Sequence, residues 1–125
     1  MIEVAPFEKL LEMKVLEAKE DFAKVRLPYR KEFTNPHGFI HGGVISSLAD
    51  TAAAVAISTK YGDRIYFTAK LDMEFKGSIE NGEMFAEARI FRKKGNFFFS
   101  RIEVKDGNEK LIAIGSAIFF MPSKK

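Results

Sequence analysis

One carboxylate stands alone in the middle of this sequence. Asp50 is the only charged residue between His41 and Lys60, and no Lys or Arg lies three or four positions from it. Desolvating an unpaired charge is prohibitive, so Asp50 must face water, a cleft or another chain. Its Ala, Val and Ile surroundings indicate a helix covered on most sides, which favours a cleft. A carboxylate so placed can act as a general base or a nucleophile. Eight residues earlier, Gly42 and Gly43 bring backbone N–H groups to a helix start, where free donors and the helix dipole favour developing negative charge. Asn35 adds an amide able to hold a water or a carbonyl. A base and an oxyanion donor are the minimal equipment for hydrolysing an acyl group.

These groups must be positioned by a loop and a helix. Pro36 biases Asn35 towards extended backbone, and Gly38, Gly42 and Gly43 permit close approaches. From Val44 the pattern becomes helical. Ile45, Leu48, Ala52, Val55 and Ala56 form one apolar stripe, while Ser47, Asp50, Thr51, Ala54 and Ser58 form a second stripe of small or polar side chains. Gly62 suits the end of the helix and Lys60 its negative pole. On such a helix Gly42 and Asp50 lie about 12 Å apart along the axis. A reacting carbonyl must sit roughly 3 Å from both donor and base. If both act on one substrate, Asp50 must come from a neighbouring chain whose helix runs antiparallel alongside, a contact the small stripe permits. A two-fold homodimer with two equivalent sites is the expected assembly, with a homotetramer, as a dimer of dimers, expected beyond it.

The 125 residues suit one domain with a substantial core. There is no Cys, hence no disulfide framework and no thiol nucleophile. The first residues lack the basic and apolar regions of a secretory signal. Gly42 to Thr59 is uncharged apart from Asp50, but it is built from Ala, Ser, Thr and Gly, and a central Asp would cost a membrane span about 2.5–3.5 kcal/mol. The expectation is a soluble, cytoplasmic protein with no membrane partner. A net charge of +3, with basic and acidic residues alternating, is not the footprint of a nucleic-acid binder. It is compatible with an anionic small ligand.

Around the central helix the pattern is mostly strands. Pro6 to Met13 predicts a short helix with Phe7, Leu10 and Leu11 on one side. Strands are expected at Val15–Lys19 and Phe22–Leu27, the second carrying Ala23, Val25 and Leu27 on one face. From Ile65 to Lys76 the alternation reads as unbroken, with Ile65, Phe67, Ala69, Leu71, Met73 and Phe75 on one face and Thr68 on the other. Further strands are expected at Met84–Phe91, Phe97–Lys105 and Leu111–Phe120, the last apolar on both faces. Turns fall at Asn81-Gly82, Gly95-Asn96 and Asp106-Gly107, the last read as a hairpin of the primed type. This predicts an α+β architecture: an antiparallel sheet of five or six strands wrapped around one long helix. Phe85, Phe91, Phe97 and Phe99 lie on the nominally polar face, where another subunit or a ligand is expected to cover them.

The series Asn35, His41-Gly42-Gly43 and Leu48-Ala49-Asp50-Thr51-Ala52 resembles the signature of the PaaI-like branch of hotdog-fold acyl-CoA thioesterases. The resemblance covers most of the chain beyond its first dozen residues. It implies that Asp50 attacks or activates water, that the Gly42 amide polarises the thioester carbonyl, and that Asn35 helps hold the water or the carbonyl. It further implies that His41 shapes the loop and, with Gly43, contributes to binding the substrate. Thr68, early in the strand after the helix, matches a Ser or Thr that assists the site in related enzymes. The basic turn Arg92-Lys93-Lys94-Gly95-Asn96 resembles the segment where family members meet the phosphates of coenzyme A, with a solvated hairpin tip as the alternative. No cofactor is implied, since coenzyme A enters as part of the substrate.

His37 and His41, with a Gly between them and no Cys in the chain, make a poor metal pair, and no metal is expected. Asn35-Pro36-His37 faintly resembles the loop of hotdog enoyl-CoA hydratases, but Phe33 stands where that motif wants an Asp. A non-catalytic acyl-CoA-binding module is the other alternative, and such a module has no need of Asp50.

Overall fold

The computed structural model describes residues 5–79 and 81–123. Its elements are α1 (Pro6–Leu10), β1 (Lys14–Lys19), β2 (Phe22–Leu27), a single 3-10 turn at Lys31–Phe33, α2 (Gly42–Tyr61), β3 (Phe67–Phe75), β4 (Met84–Lys94), β5 (Phe97–Asp106) and β6 (Leu111–Phe120). The six strands make one sheet in the order β1-β2-β4-β5-β6-β3, antiparallel throughout. It curls around α2, and the expected α+β layout holds.

The core follows from the two periodicities. Along β2 the alternation places Ala23, Val25 and Leu27 against the helix with no solvent exposure. From α2 come Ile45, Leu48, Ala49, Ala52, Ala53, Ala56 and Ile57, all buried. The less buried residues of α2 include Ser47, Asp50, Ala54 and Ser58, which trace the small stripe. The helix ends at Gly62, whose φ of 57° and ψ of −122° suit glycine alone. By length and composition α2 could cross a bilayer, but here it is the core helix inside a sheet.

Four expectations need correction. Helix α1 stops at Leu10, ahead of a left-handed Glu12 (φ 61°), and of its apolar side only Leu11, just past the helix, packs on the core: Leu10 is 69% exposed and Phe7 is also exposed. Strand β4 runs on to Lys94, so Arg92, Lys93 and Lys94 belong to the strand and only Gly95-Asn96 turns. At Asp106-Gly107 the left-handed residue is Glu109 (φ 67°), not Gly107. Asp106 Oδ1 there accepts from the N–H groups of Asn108 and Lys110, at 2.8 and 2.9 Å, and builds a longer loop than a two-residue turn.

The fourth correction matters most for the site. The alternation of β3 is broken by a bulge between Thr68 and Lys70 in its pairing with β6. One extra residue flips the strand's faces. Before the bulge Tyr66 and Thr68 turn towards α2, while Ile65 and Phe67 are exposed; after it Leu71 and Met73 pack inward.

The outer face of the sheet carries the phenylalanines expected there. Phe91 stacks beneath the Arg101 guanidinium at 4.9 Å, and Phe67 and Phe97 gather around Phe120, with ring centroids 5.6 and 5.0 Å apart. They point away from α2.

Candidate active site

The start of α2 is built by the loop before it. Asn35 Oδ1 accepts from the N–H groups of His37 (2.9 Å) and Phe39 (3.1 Å), a local turn that tightens the loop. The Asn35 N–H donates to the Phe39 carbonyl at 2.7 Å, and Gly38 adopts a φ of 87° at the tip. The side-chain oxygen of Asn35 is therefore committed to the loop, and its NH2 is the group left to meet a water or a carbonyl. His41, held by its N–H to the Phe33 carbonyl (2.8 Å), becomes the N-cap. Its Nδ1 accepts from the Gly43 N–H at 2.8 Å.

That contact explains Gly43 and corrects one expectation. A Cβ on Gly43 would lie 3.0 Å from His41 Nδ1, so the folded-back imidazole leaves little room for a side chain. The Gly43 N–H is not bare. Among the described residues it is the Gly42 N–H that donates to nothing. The Phe75 ring stands beside it, 3.5 Å from where a Gly42 Cβ would be.

Asp50 lies two turns further along, half-buried and without an ion-pair partner among the described residues. The Thr68 hydroxyl donates to its Oδ1 at 2.7 Å. Burial pushes the Asp50 carboxyl above its ordinary pKa, the Thr68 hydrogen bond pulls it down, and the nearby Glu8 charge adds to the rise. The outcome is a rise, so this carboxylate is a stronger base than an exposed Asp. Next to it Thr51 is only 6% exposed, and its hydroxyl donates to Glu8 Oε2 of α1 at 3.4 Å, a long hydrogen bond. One turn on, the Tyr66 hydroxyl donates to the Ala54 carbonyl at 2.9 Å.

Within the chain, Asp50 and Thr68 meet, His41 caps Gly43 beside Gly42, and Asn35 braces the loop that leads into them. The two groups stay apart, about 12 Å along α2. The basic segment is remote from Gly42 too. Phe98, paired with Lys93, packs on Tyr61 at the C-terminal end of α2 with ring centroids 5.1 Å apart. Met121 N–H meets the Asn96 carbonyl at 2.9 Å beside it. Arg92 and Lys93 lie over the rings of Phe99 and Phe98, at 5.7 and 5.6 Å. Glu8, Tyr66 and the position of Phe75 over Gly42 were not foreseen. Nothing near Glu8 in sequence signals residue 51, and the face of Tyr66 depends on the bulge, whereas Phe75 keeps the face it shares with Leu71 and Met73.

A six-stranded antiparallel sheet curled around one long helix, with a carboxylate at mid-helix and a glycine N–H at its start, defines a hotdog-fold protein of the thioester-hydrolase kind. The chain belongs to the thioesterase superfamily, whose family model matches residues 37–113. It is 34% identical over 110 residues to a Saccharolobus solfataricus protein whose name marks it only as a candidate esterase, spanning 86% of this chain and 79% of that one. It is similar to a structure of conserved protein PA5202 from Pseudomonas aeruginosa, with a TM-score of 0.90 and 27% identity over 95% of each chain. A variant of the phenylacetic acid degradation protein PaaI from Thermus thermophilus superposes with a TM-score of 0.86 at 28% identity, over 94% of this chain and 100% of that one.

Proposed function

We propose that the protein hydrolyses an acyl-CoA thioester to a free acid and coenzyme A, at two equivalent sites of a cytoplasmic homodimer. Asp50 of one protomer is the general base or nucleophile. The Gly42 N–H of the other, at the positive end of α2, polarises the thioester carbonyl. Thr68 holds the Asp50 carboxylate, Asn35 offers its NH2 to the water or the carbonyl, and His41 keeps Gly43 capped so that the Gly42 N–H stays open. The basic strand end Arg92, Lys93 and Lys94, with Gly95 and Asn96, is the proposed contact for coenzyme A phosphates.

The observation that carries this reading is Asp50 itself. A half-buried carboxylate, tied to one hydroxyl and held above its ordinary pKa, is a costly feature on a core helix unless it reacts. A name among the relatives points the same way: a Listeria monocytogenes protein, 24% identical over 119 residues, is named 1,4-dihydroxy-2-naphthoyl-CoA hydrolase. The dimer is supported by β3, a nine-residue strand at one edge of the sheet. An edge of that length invites pairing with a copy of itself. A two-fold axis through such a pair puts both α2 helices on one face, antiparallel, as the shared site requires.

The test is thiol release from a panel of acyl-CoAs, with complementation between variants. Gly42→Pro removes the N–H and adds ring carbons, its Cβ meeting Phe75 at an ordinary 3.5 Å; Pro suits a first helical position, and His41 already has the extended φ of −62° and ψ of 136° that a following Pro needs. Each of Gly42→Pro and Asp50→Ala should be inactive alone. Dissociated, mixed and reassembled, they should regain about a quarter of the wild-type rate, since half the dimers are mixed and each holds one intact site. No recovery on mixing would refute the shared site. Hydration of an enoyl-CoA without thiol release would favour a hydratase, and binding without turnover a non-catalytic module.

A further inference from the structure

We infer that Glu8 is a positioning residue of this site: it straps α1 across Thr51 and sets a second negative charge beside Asp50. The inference rests on the reading of Asp50 as the reacting carboxylate. Apolar packing holds α1 only at its end: Phe7 and Leu10 are exposed, and Leu11, just past the last turn, packs on the core. Its link to α2 runs through the Glu8 carboxylate. Oε1 accepts from the Ala5 N–H at 2.7 Å and closes the start of α1, while Oε2 accepts from the Thr51 hydroxyl at 3.4 Å. Thr51 directly follows Asp50, so this contact brings a residue 42 positions away in sequence to the edge of the site.

Two groups bear on Asp50. Thr68, from β3, favours its ionised form, and Glu8, from α1, opposes it. Tyr66, further along β3, is engaged with the Ala54 carbonyl, and no cation among the described residues pairs with Asp50. A like charge close by disfavours ionisation of Asp50. Glu8 therefore keeps Asp50 a better proton acceptor than burial alone would make it.

The test is a carbon-13 carboxyl NMR titration of Asp50 in the intact protein, with the resonance assigned by its loss in Asp50→Asn. Glu8→Gln removes the charge and keeps one oxygen to accept from the Ala5 N–H, while its NH2 replaces Oε2 and can donate to the Thr51 hydroxyl oxygen. It should lower the Asp50 midpoint, and the acid limb of kcat/KM for thiol release should move to lower pH with it, at unchanged melting temperature. A purely structural strap would leave both where they are. Thr51→Val, which frees the Glu8 carboxylate without deleting it, should lower the midpoint in the same direction by less, and it serves as the deciding variant if Glu8→Gln fails to fold. An Asp50 midpoint that is the same in the wild type and the folded variant overturns the inference. Because the titration needs no turnover, a Glu8-dependent midpoint in a protein that releases no thiol would sink the thioesterase reading and leave standing only the influence of the Glu8 charge on Asp50.

Discussion

The two sides of α2 obey opposite rules. On one side Leu48, Ala49, Ala52, Ala53 and Ala56 have no exposure at all and meet the apolar residues of the sheet. On the other, Asp50 keeps partial contact with solvent and answers to single hydrogen bonds. One helix thus carries a dry face that holds the fold together and a polar strip whose central member weakens it. The contrast teaches that stability and chemistry are separable here, residue by residue, within three positions of the chain.

The contrast can be broken most sharply at Asp50. Asp50→Asn should reduce thiol release by about 10²- to 10⁴-fold, the usual contribution of a general base. It should also leave the protein more stable at neutral pH. With the folded-state pKa raised, the protonated Asp50 is favoured by folding, and that advantage is complete below the ordinary carboxylate pKa and lost as pH rises through the folded value. Asn mimics the protonated form, so the gain in melting temperature should be present at pH 7 and vanish towards pH 3. A variant less stable than wild type at pH 7 would contradict the picture of a costly charge.

On the opposite side, Leu48→Ala should lower the unfolding free energy by about 2–5 kcal/mol through the cavity it leaves. The turnover of the molecules still folded should be unchanged, as denaturant melts and rates normalised to folded protein would reveal. Thr68→Val is a smaller change on the polar side: about tenfold in rate, the worth of one hydrogen bond to a charge. Since the Thr68 bond favours the ionised carboxylate, its loss should move the acid limb of the pH–rate profile to higher pH, opposite to Glu8→Gln. The smallest effect is expected from His41→Ala. It removes the cap on Gly43 and should cost about 1 kcal/mol in a urea titration, with KM rising more than kcat falls if the loop serves binding.

Much of this was legible in the residues, and the parts that were not share a cause. The long helix, its two stripes, its glycine stop and the strand of Ala23, Val25 and Leu27 all follow from periodicities within a short window. So do the loop and the lone Asp50, whose role as the centre of the site is the present proposal. The bulge in β3 left no such trace, because Phe67, Ala69, Leu71 and Met73 are apolar enough to suit either face. Only pairing with β6 decides where the extra residue goes, and with it whether Thr68 meets Asp50.

The same holds for the remaining surprises. Gly42 and Gly43 read alike in sequence, yet among the described residues one N–H is capped and the other free, because a cap depends on where the His41 ring folds back. Glu8 reaches Thr51 across a separation that no local pattern encodes. Sequence by itself determined the elements and the residue types able to react, since backbone preferences and hydrophobic periodicity act over a few residues. The tertiary structure alone decided which of those groups touch, because register, bulges and long-range hydrogen bonds arise only when distant segments compete for the same partners.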